Sequence, residues 1–383
     1  MTVIAPSPDE LPTHHTFSLI ALVCVASIFF LGTPGFVVLM ATQWSLTESQ
    51  LGLIAAADSV GNAVGSLLMT FVLFRYNPRA LVLIALLGFI AANALSAFRL
   101  DDTTMLLVRL ASGVFSGVIA GLAIRRLSEG KDADRNLTWM VISQTLAIAV
   151  LLTFVLPWVG ELGQATAAFI MVALQGVICL LVRTLFPAVH LQAETELSNT
   201  SAPRTASAYL ALLSIFLLYV TVGVVWTFVG FMGHEAGFKD AFVETLLGGA
   251  NLLSIAAISI VPWMIQRDRL FSTGIVALTL CTLAALGLSL PPQAWTYAVS
   301  TVVFICAWGT SITLLLALLP SYDKAGRMIM LAPGVLCMGS ALGSFLGGQL
   351  MEMQSPAWAF RIAAICCAIA GVIVLGLGAT RKR

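Results

Sequence analysis

The stretch AVHLQAETELSNTSAPRTAS, residues 188–207, is the longest polar interval in an otherwise apolar chain. Rich in Glu, Ser, Thr and Pro, it cannot bury enough surface to offset the entropy of ordering it, so it reads as a cytoplasmic linker over residues 187–207. Six long apolar stretches precede it, at approximately residues 17–41, 51–74, 80–98, 104–124, 137–158 and 164–186. Six follow, at approximately 208–231, 241–264, 270–290, 294–319, 328–350 and 357–379. Each approaches the about 20 residues a helix needs to cross a ~30 Å hydrocarbon layer. Helix is also the form in which an isolated segment in lipid satisfies its own backbone hydrogen bonds. The expectation is an all-α membrane protein of 12 transmembrane helices in two pseudo-symmetric six-helix bundles, residues 17–186 and 208–379, with tails at 1–16 and 380–383.

Charge orients the spans. Of 19 Lys and Arg residues, Arg99, Lys239 and Arg361 fall in gaps on one side, Arg109 falls inside a stretch, and the remaining 15 lie on the other side. That is the positive-inside signature with both termini cytoplasmic. Trp44, Trp158, Trp295 and Trp358 fall near outer ends and Trp139 and Trp263 near inner ends, at the headgroup level that amphipathic rings prefer. The first stretch is too long for the apolar region of a signal peptide, and no Lys or Arg precedes it, so it counts as a span.

Composition excludes several function classes. The chain is 59% apolar and 10% charged, with a net charge of +1, which offers nothing to nucleic acid. Its 7 cysteines all lie in spans without a Cys-x-x-Cys pair and read as packing residues. His14, His15, His190 and His234 fall in tails or loops without metal-ligand spacing, so no metal or other cofactor is expected. With no phosphate-binding GxxxxGK[ST] loop and no nucleophile–base constellation, the chain reads as a carrier that neither burns ATP nor catalyses a reaction.

One short match supports a duplicated unit, which two halves of six spans suggest. GNAVGSLL from Gly61 to Leu68 and GSALGSFL from Gly339 to Leu346 place Gly, Ala and Gly-Ser at identical offsets. Glycines four apart let helix backbones approach closely. Six plus six spans around one linker resemble the major facilitator superfamily of secondary transporters over essentially the whole chain. Between helices 2 and 3 that family carries Gly-x-x-x-Asp-Arg-x-Gly-Arg-Arg. TFVLFRYNPR, Thr70 to Arg79, matches it at Arg75 and Arg79, with Thr70, Phe74, Asn77 and Pro78 at the other positions. The family's exporter branch has an Arg followed four residues later by Gly, and RLASGVFSG supplies Arg109 and Gly113. The Gly-Pro motif of many antiporters is absent from the fifth stretch. The resemblance implies alternating access, with Arg75 and Arg79 in a gating loop.

Two ionisable groups lie well inside spans, Asp58 and Arg109. A charge near the bilayer centre costs on the order of 2.5–3.5 kcal/mol, so neither faces lipid. At ~1.5 Å rise per residue they lie about 10 Å and about 8 Å from their outer helix ends, deep enough alike to pair. Either Asp58 exchanges a proton under the control of Arg109, or the two form a permanent ion pair that fixes packing. Asn62, one turn from Asp58, with Gln144, Gln175, Asn251, Trp226 and Trp308, are candidates to line a cavity between the bundles. Amides inside helices also serve as glue between helices, and large rings as packing. Glu244 and Arg361 lie near outer ends, where snorkelling to water accounts for them.

The functional expectation is a secondary active transporter, monomeric and integral to the plasma (inner) membrane, that moves a small amphipathic or aromatic solute. Import and export are equally consistent with the sequence. A proton falling through ~100 mV releases ~2.3 kcal/mol, an adequate drive if Asp58 titrates. The rival is a membrane sensor or scaffold that keeps the carrier fold without transporting.

Overall fold

Every apolar stretch is built on helix among the described residues. The computed structural model describes residues 13–72, 77–128, 133–161, 165–182, 206–267, 269–322 and 327–381, and no strand occurs among them. The first span is α1 (Thr13–Ala26) and α2 (Ile28–Trp44), which meet at Ser27; α3 (Glu48–Val72), α4 (Pro78–Ser96) and α5 (Asp102–Leu127) follow. The fifth stretch is α6 (Ala133–Val150), a π-helical turn at Leu151–Val155, and α7 (Leu156–Glu161), and the sixth is α8 (Ala165–Val182). After the linker come α9 (Ala206–Glu235), α10 (Asp240–Ser259), α11 (Val261–Gln266), α12 (Leu270–Leu288), α13 (Ala294–Leu318), α14 (Arg327–Met353) and α15 (Pro356–Arg381). Eleven helices among the described residues are long and apolar enough to cross a membrane. Against the expected 12, the sixth stretch is the difference: its apolar part, Ala168–Leu180, is shorter. The linker at 187–207 lies almost entirely outside the described residues.

Local chemistry explains the breaks. Pro262 lacks the N–H that would continue α10, and the chain restarts as α11 at that point. Asn77 and Pro78, which stand where the family pattern has Gly and Arg, set the start of α4. The Asn77 side chain accepts the Arg79 N–H at 2.9 Å, and Pro78 occupies the first helical turn. Asp101 caps α5 in the same way, accepting the Thr104 N–H at 3.1 Å.

Helix pairs are brought together by small residues. In the first set Gly61 and Gly65 of α3 lie against the backbone of Leu110 and Val114, while Gly113 and Gly117 of α5 lie against that of Asp58 and Asn62. In the second set Gly343 of α14 lies against Val220 and Gly223 of α9. The two octapeptides therefore occupy different places, one in the second helix of its set and the other in the fifth. What they share is a need for close backbone approach, and a duplicated six-helix unit would not place one upon the other. Replacing Gly113 with Ala would put a Cβ against the Asp58 carbonyl and 2.9 Å from the Asn62 nitrogen. Backbone cannot rotate away, so a loss of about 1–3 kcal/mol is expected. A melting temperature in detergent equal to that of the parent would refute the tight-packing account.

The two sets meet along three seams: α3 with α14, α2 with α9, and α10 with α6 and the π-helical turn. Several closest approaches crowd toward one end, the end that carries the turns at Ser45, Gly237 and Pro291. There Gly52 lies against Gly348 and Ser344, Gly230 against Pro34, and Gly248 against Thr153 and Ala149. Ser49 donates its backbone N–H to Glu352 Oε2 at 3.0 Å, and Gln349 donates to Ser49 Oγ. This end is closed.

Candidate functional site

Two polar constellations lie at depth. The first is in the first six-helix set. Arg109 on α5 donates through Nη2 to Asp58 on α3, and both are buried, at 0% and 4% exposure. Its Nη1 donates to Asn93 Oδ1 at 3.0 Å and to Ser96 Oγ at 3.4 Å, both on α4. Asn93 in turn donates to the Phe89 carbonyl at 2.9 Å and to Ser112 Oγ at 3.2 Å. The guanidinium lies over the Phe29 ring, 3.7 Å from its centroid, with Phe169 at 5.4 Å. A buried cation thus meets a carboxylate, two neutral acceptors and an aromatic face, the arrangement that offsets its desolvation. Only Arg109 Nε is left without a partner among the described residues.

The second constellation spans the two sets. Asn62, one turn along α3 from Asp58, donates to Ser116 Oγ on α5 at 2.8 Å and accepts from Ser66 Oγ at 3.3 Å. Its Oδ1 also lies 3.4 Å from the thiol of Cys337 on α14, which donates to it across the seam. Two residues beyond Cys337, Gly339 lets Tyr219 of α9 lie close to the α14 backbone. Tyr219 meets Trp308 of α13 edge to face at 6.3 Å, and Trp308 meets Trp226 at 5.6 Å and Phe304 at 6.5 Å. Trp226 reaches the opposite set, donating Nε1 to the Phe30 carbonyl at 3.1 Å. Trp308 Nε1 is buried and unpartnered among the described residues, as are Thr301 Oγ1 and Ser311 Oγ on the same helix. The junction therefore has a short polar strip on the first set and an aromatic wall on the second, with an indole donor that has only the Tyr219 hydroxyl beside it.

Asn62, Trp226 and Trp308 come together there, and Asp58 joins Arg109 one turn away. The other amides disperse. Gln144 donates to Ser27 Oγ at 3.0 Å and ties α6 to the first span. Asn251 is buried and donates to the Leu247 carbonyl of its own helix at 2.8 Å. Gln175 on α8 keeps a buried Oε1 without a partner among the described residues. Arg79 is exposed in the first turn of α4, and Arg75 lies outside the described residues. Tyr219, Cys337, Ser116 and Asn93 were not anticipated. Tyr219 could have been found, since it precedes Trp226 by two helical turns and shares its face. All 7 cysteines are unbridged, and no metal-holding cluster of His, Cys, Asp or Glu occurs among the described residues.

The sequence model of the Major Facilitator Superfamily matches residues 18–332. The chain belongs to the major facilitator superfamily. Solved structures of that superfamily share its fold. An alanine variant of the nucleoside transporter NupG superposes with a TM-score of 0.74 at 14% identity, covering 95% of this chain and 99% of the other. A second NupG structure gives 0.69 at 15% identity, with 97% and 98% covered. The human organic anion transporter MFSD10 (TETRAN) gives 0.64 at 14%, with 95% and 100% covered. At such identity these likenesses establish the fold alone. Membership in the superfamily makes the chain an integral multi-pass membrane transporter, not an enzyme, whose solute is a small molecule.

Proposed function

We propose that this superfamily member is a monomeric plasma-membrane carrier with 12 spans and cytoplasmic termini that takes a small, uncharged, ring-bearing solute at the junction of its two helix sets. The observation that carries this reading is the wall of Trp308, Trp226, Tyr219 and Phe304 rings, in which the buried Trp308 Nε1 makes no close hydrogen bond and has only the Tyr219 hydroxyl beside it. A planar solute would lie on these rings, accept from Trp308 Nε1 and exchange hydrogen bonds with Asn62 and Ser116. Access would alternate by rocking one set on the other, which requires parting the Gly52–Gly348 and Gly230–Pro34 contacts at the closed end.

Charge at the site argues against an anion, because Arg109, the cation at that depth, is already matched by Asp58. A nucleoside, the solute that NupG's name specifies, has the required shape and polarity and is the first compound to test. Purified protein in proteoliposomes should take up a labelled neutral nucleoside or base saturably. Trp308→Ala should cut kcat/KM about tenfold, equivalent to ~1.4 kcal/mol, through lost stacking and a lost donor. Saturable carriage of organic anions alone would overturn the reading. Silence across both classes would overturn it as well.

A second reading of the ion pair rests on one observation. Arg109 Nη1 already has Asn93 and Ser96 as partners, so the guanidinium keeps two acceptors when Asp58 takes up a proton. In that reading a proton is the coupling ion and Asp58 its carrier. Uptake that acidifies the vesicle lumen in the parent and fails to do so in a folded Asp58→Asn variant would establish it.

A further inference from the structure

A surface crevice of about 410 Å3, counting the open space at its mouth, lies between the C-terminal end of α2, the first turns of α3 and α5, and the turn that joins α4 to α5. Its floor is apolar, including Ile54, Leu100 and Met105, and Trp44 forms one wall. Trp44 is held rigid, buried and stacked on Phe169 with centroids 5.7 Å apart. Two charged residues line the crevice, Arg99 and Asp102. Arg99 is exposed and makes no ion pair among the described residues. Asp102 Oδ2 accepts from Gln50 Nε2 at 2.8 Å, which leaves Oδ1 open. The neighbouring Asp101 carboxylate is engaged by the Thr104 N–H at the start of α5.

The location identifies the solvent on either side. The crevice sits where helices end, and beside it Leu95, Phe98 and Leu107 are 50%, 65% and 60% exposed, side chains suited to hydrocarbon. An occupant must therefore satisfy a cation and a carboxylate at the headgroup level while it covers an apolar floor. We propose that the crevice binds a zwitterionic phospholipid with a primary ammonium, the phosphatidylethanolamine class. Its phosphate accepts from the Arg99 guanidinium, its ammonium donates to Asp102 Oδ1, and its glycerol and upper acyl chain cover Ile54 and Met105. A phosphatidylglycerol offers Asp102 no cation. A phosphatidylcholine offers a cation without an N–H to donate, so both should bind less well.

The test is native mass spectrometry of the delipidated full chain in detergent with an equimolar mixture of phosphatidylethanolamine, phosphatidylglycerol and phosphatidylcholine of identical acyl chains. The parent should retain the ethanolamine lipid several-fold over the other two. Arg99→Gln should lower retention of all three, and Arg99→Lys, which keeps the charge and loses the planar fork, should fall between. Asp102→Asn should erase the preference for ethanolamine without lowering phosphatidylglycerol retention. Both side chains are exposed, and a melting temperature equal to that of the parent establishes that each variant folds. Equal retention of the three lipids by the parent, an excess of phosphatidylglycerol, unchanged lipid retention in Arg99→Gln, or the same ethanolamine preference in Asp102→Asn would each overturn the proposal.

Discussion

Asp58→Asn should destabilise the protein by about 3–5 kcal/mol, the cost of leaving one partner of a buried ion pair uncompensated. Arg109 is at 0% exposure, so no water can take the place of the lost carboxylate. Asn93 and Ser96 are neutral acceptors and cannot balance a full charge. Removing both partners tells a different story. Asp58→Leu with Arg109→Met keeps the volume apolar and should recover most of that loss, since two desolvation costs vanish together. Recovery should stop short of complete, because Asn93 Oδ1 is left buried without its donor, at roughly 1–3 kcal/mol. Unfolding of the parent, the single variant and the double variant in mixed micelles measures all three. A single variant that melts like the parent would sink the packing role. If it also lost proton movement, the coupling reading would take its place.

Gly348→Val should push the carrier toward the state open at the end that is closed here. A Cβ at position 348 would strike the Glu48 carbonyl and lie 3.1 Å from Gly52 Cα, atoms of backbone that no rotamer change can move. Relief requires α14 to back away from α3. The same separation stretches the Ser49–Glu352 and Gln349–Ser49 hydrogen bonds, which join the two sets at that end. An overpacking penalty of about 1–3 kcal/mol falls on the closed state alone. It shifts the equilibrium between closed and open by roughly 5- to 150-fold, because the state in which the helices have parted does not feel it. Hydrogen exchange should rise in peptides covering residues 48–54 and 344–353, and transport should slow as the return step becomes uphill. Exchange unchanged in both peptides would show that this seam does not part during the cycle.

The contrast between these two sites marks how far sequence reasoning reaches. That Asp58 and Arg109 pair could be read from two facts, the cost of a charge in lipid and a rise of ~1.5 Å per residue that sets both at one depth. The spans follow from the thickness of the bilayer, which acts on each segment separately and needs no knowledge of its neighbours. The start of α4 is equally local, since Asn77 and Pro78 act on the backbone beside them. Partners across helices are another matter. Asn62, Gln144, Gln175 and Asn251 look alike as amides in apolar helices, yet only Asn62 meets the opposite set through Cys337, while Gln144 ties α6 to Ser27 and Asn251 turns to its own helix. Likewise Tyr219 and Trp226 of α9 form one aromatic wall with Trp308 only because α13 packs against α9. The sequence by itself determined which segments are apolar enough to be helical spans and which two buried charges could meet. The tertiary structure alone decided which face of each helix meets the opposite set, because in lipid that choice rests on backbone approach summed over several helices and not on any property of a single span.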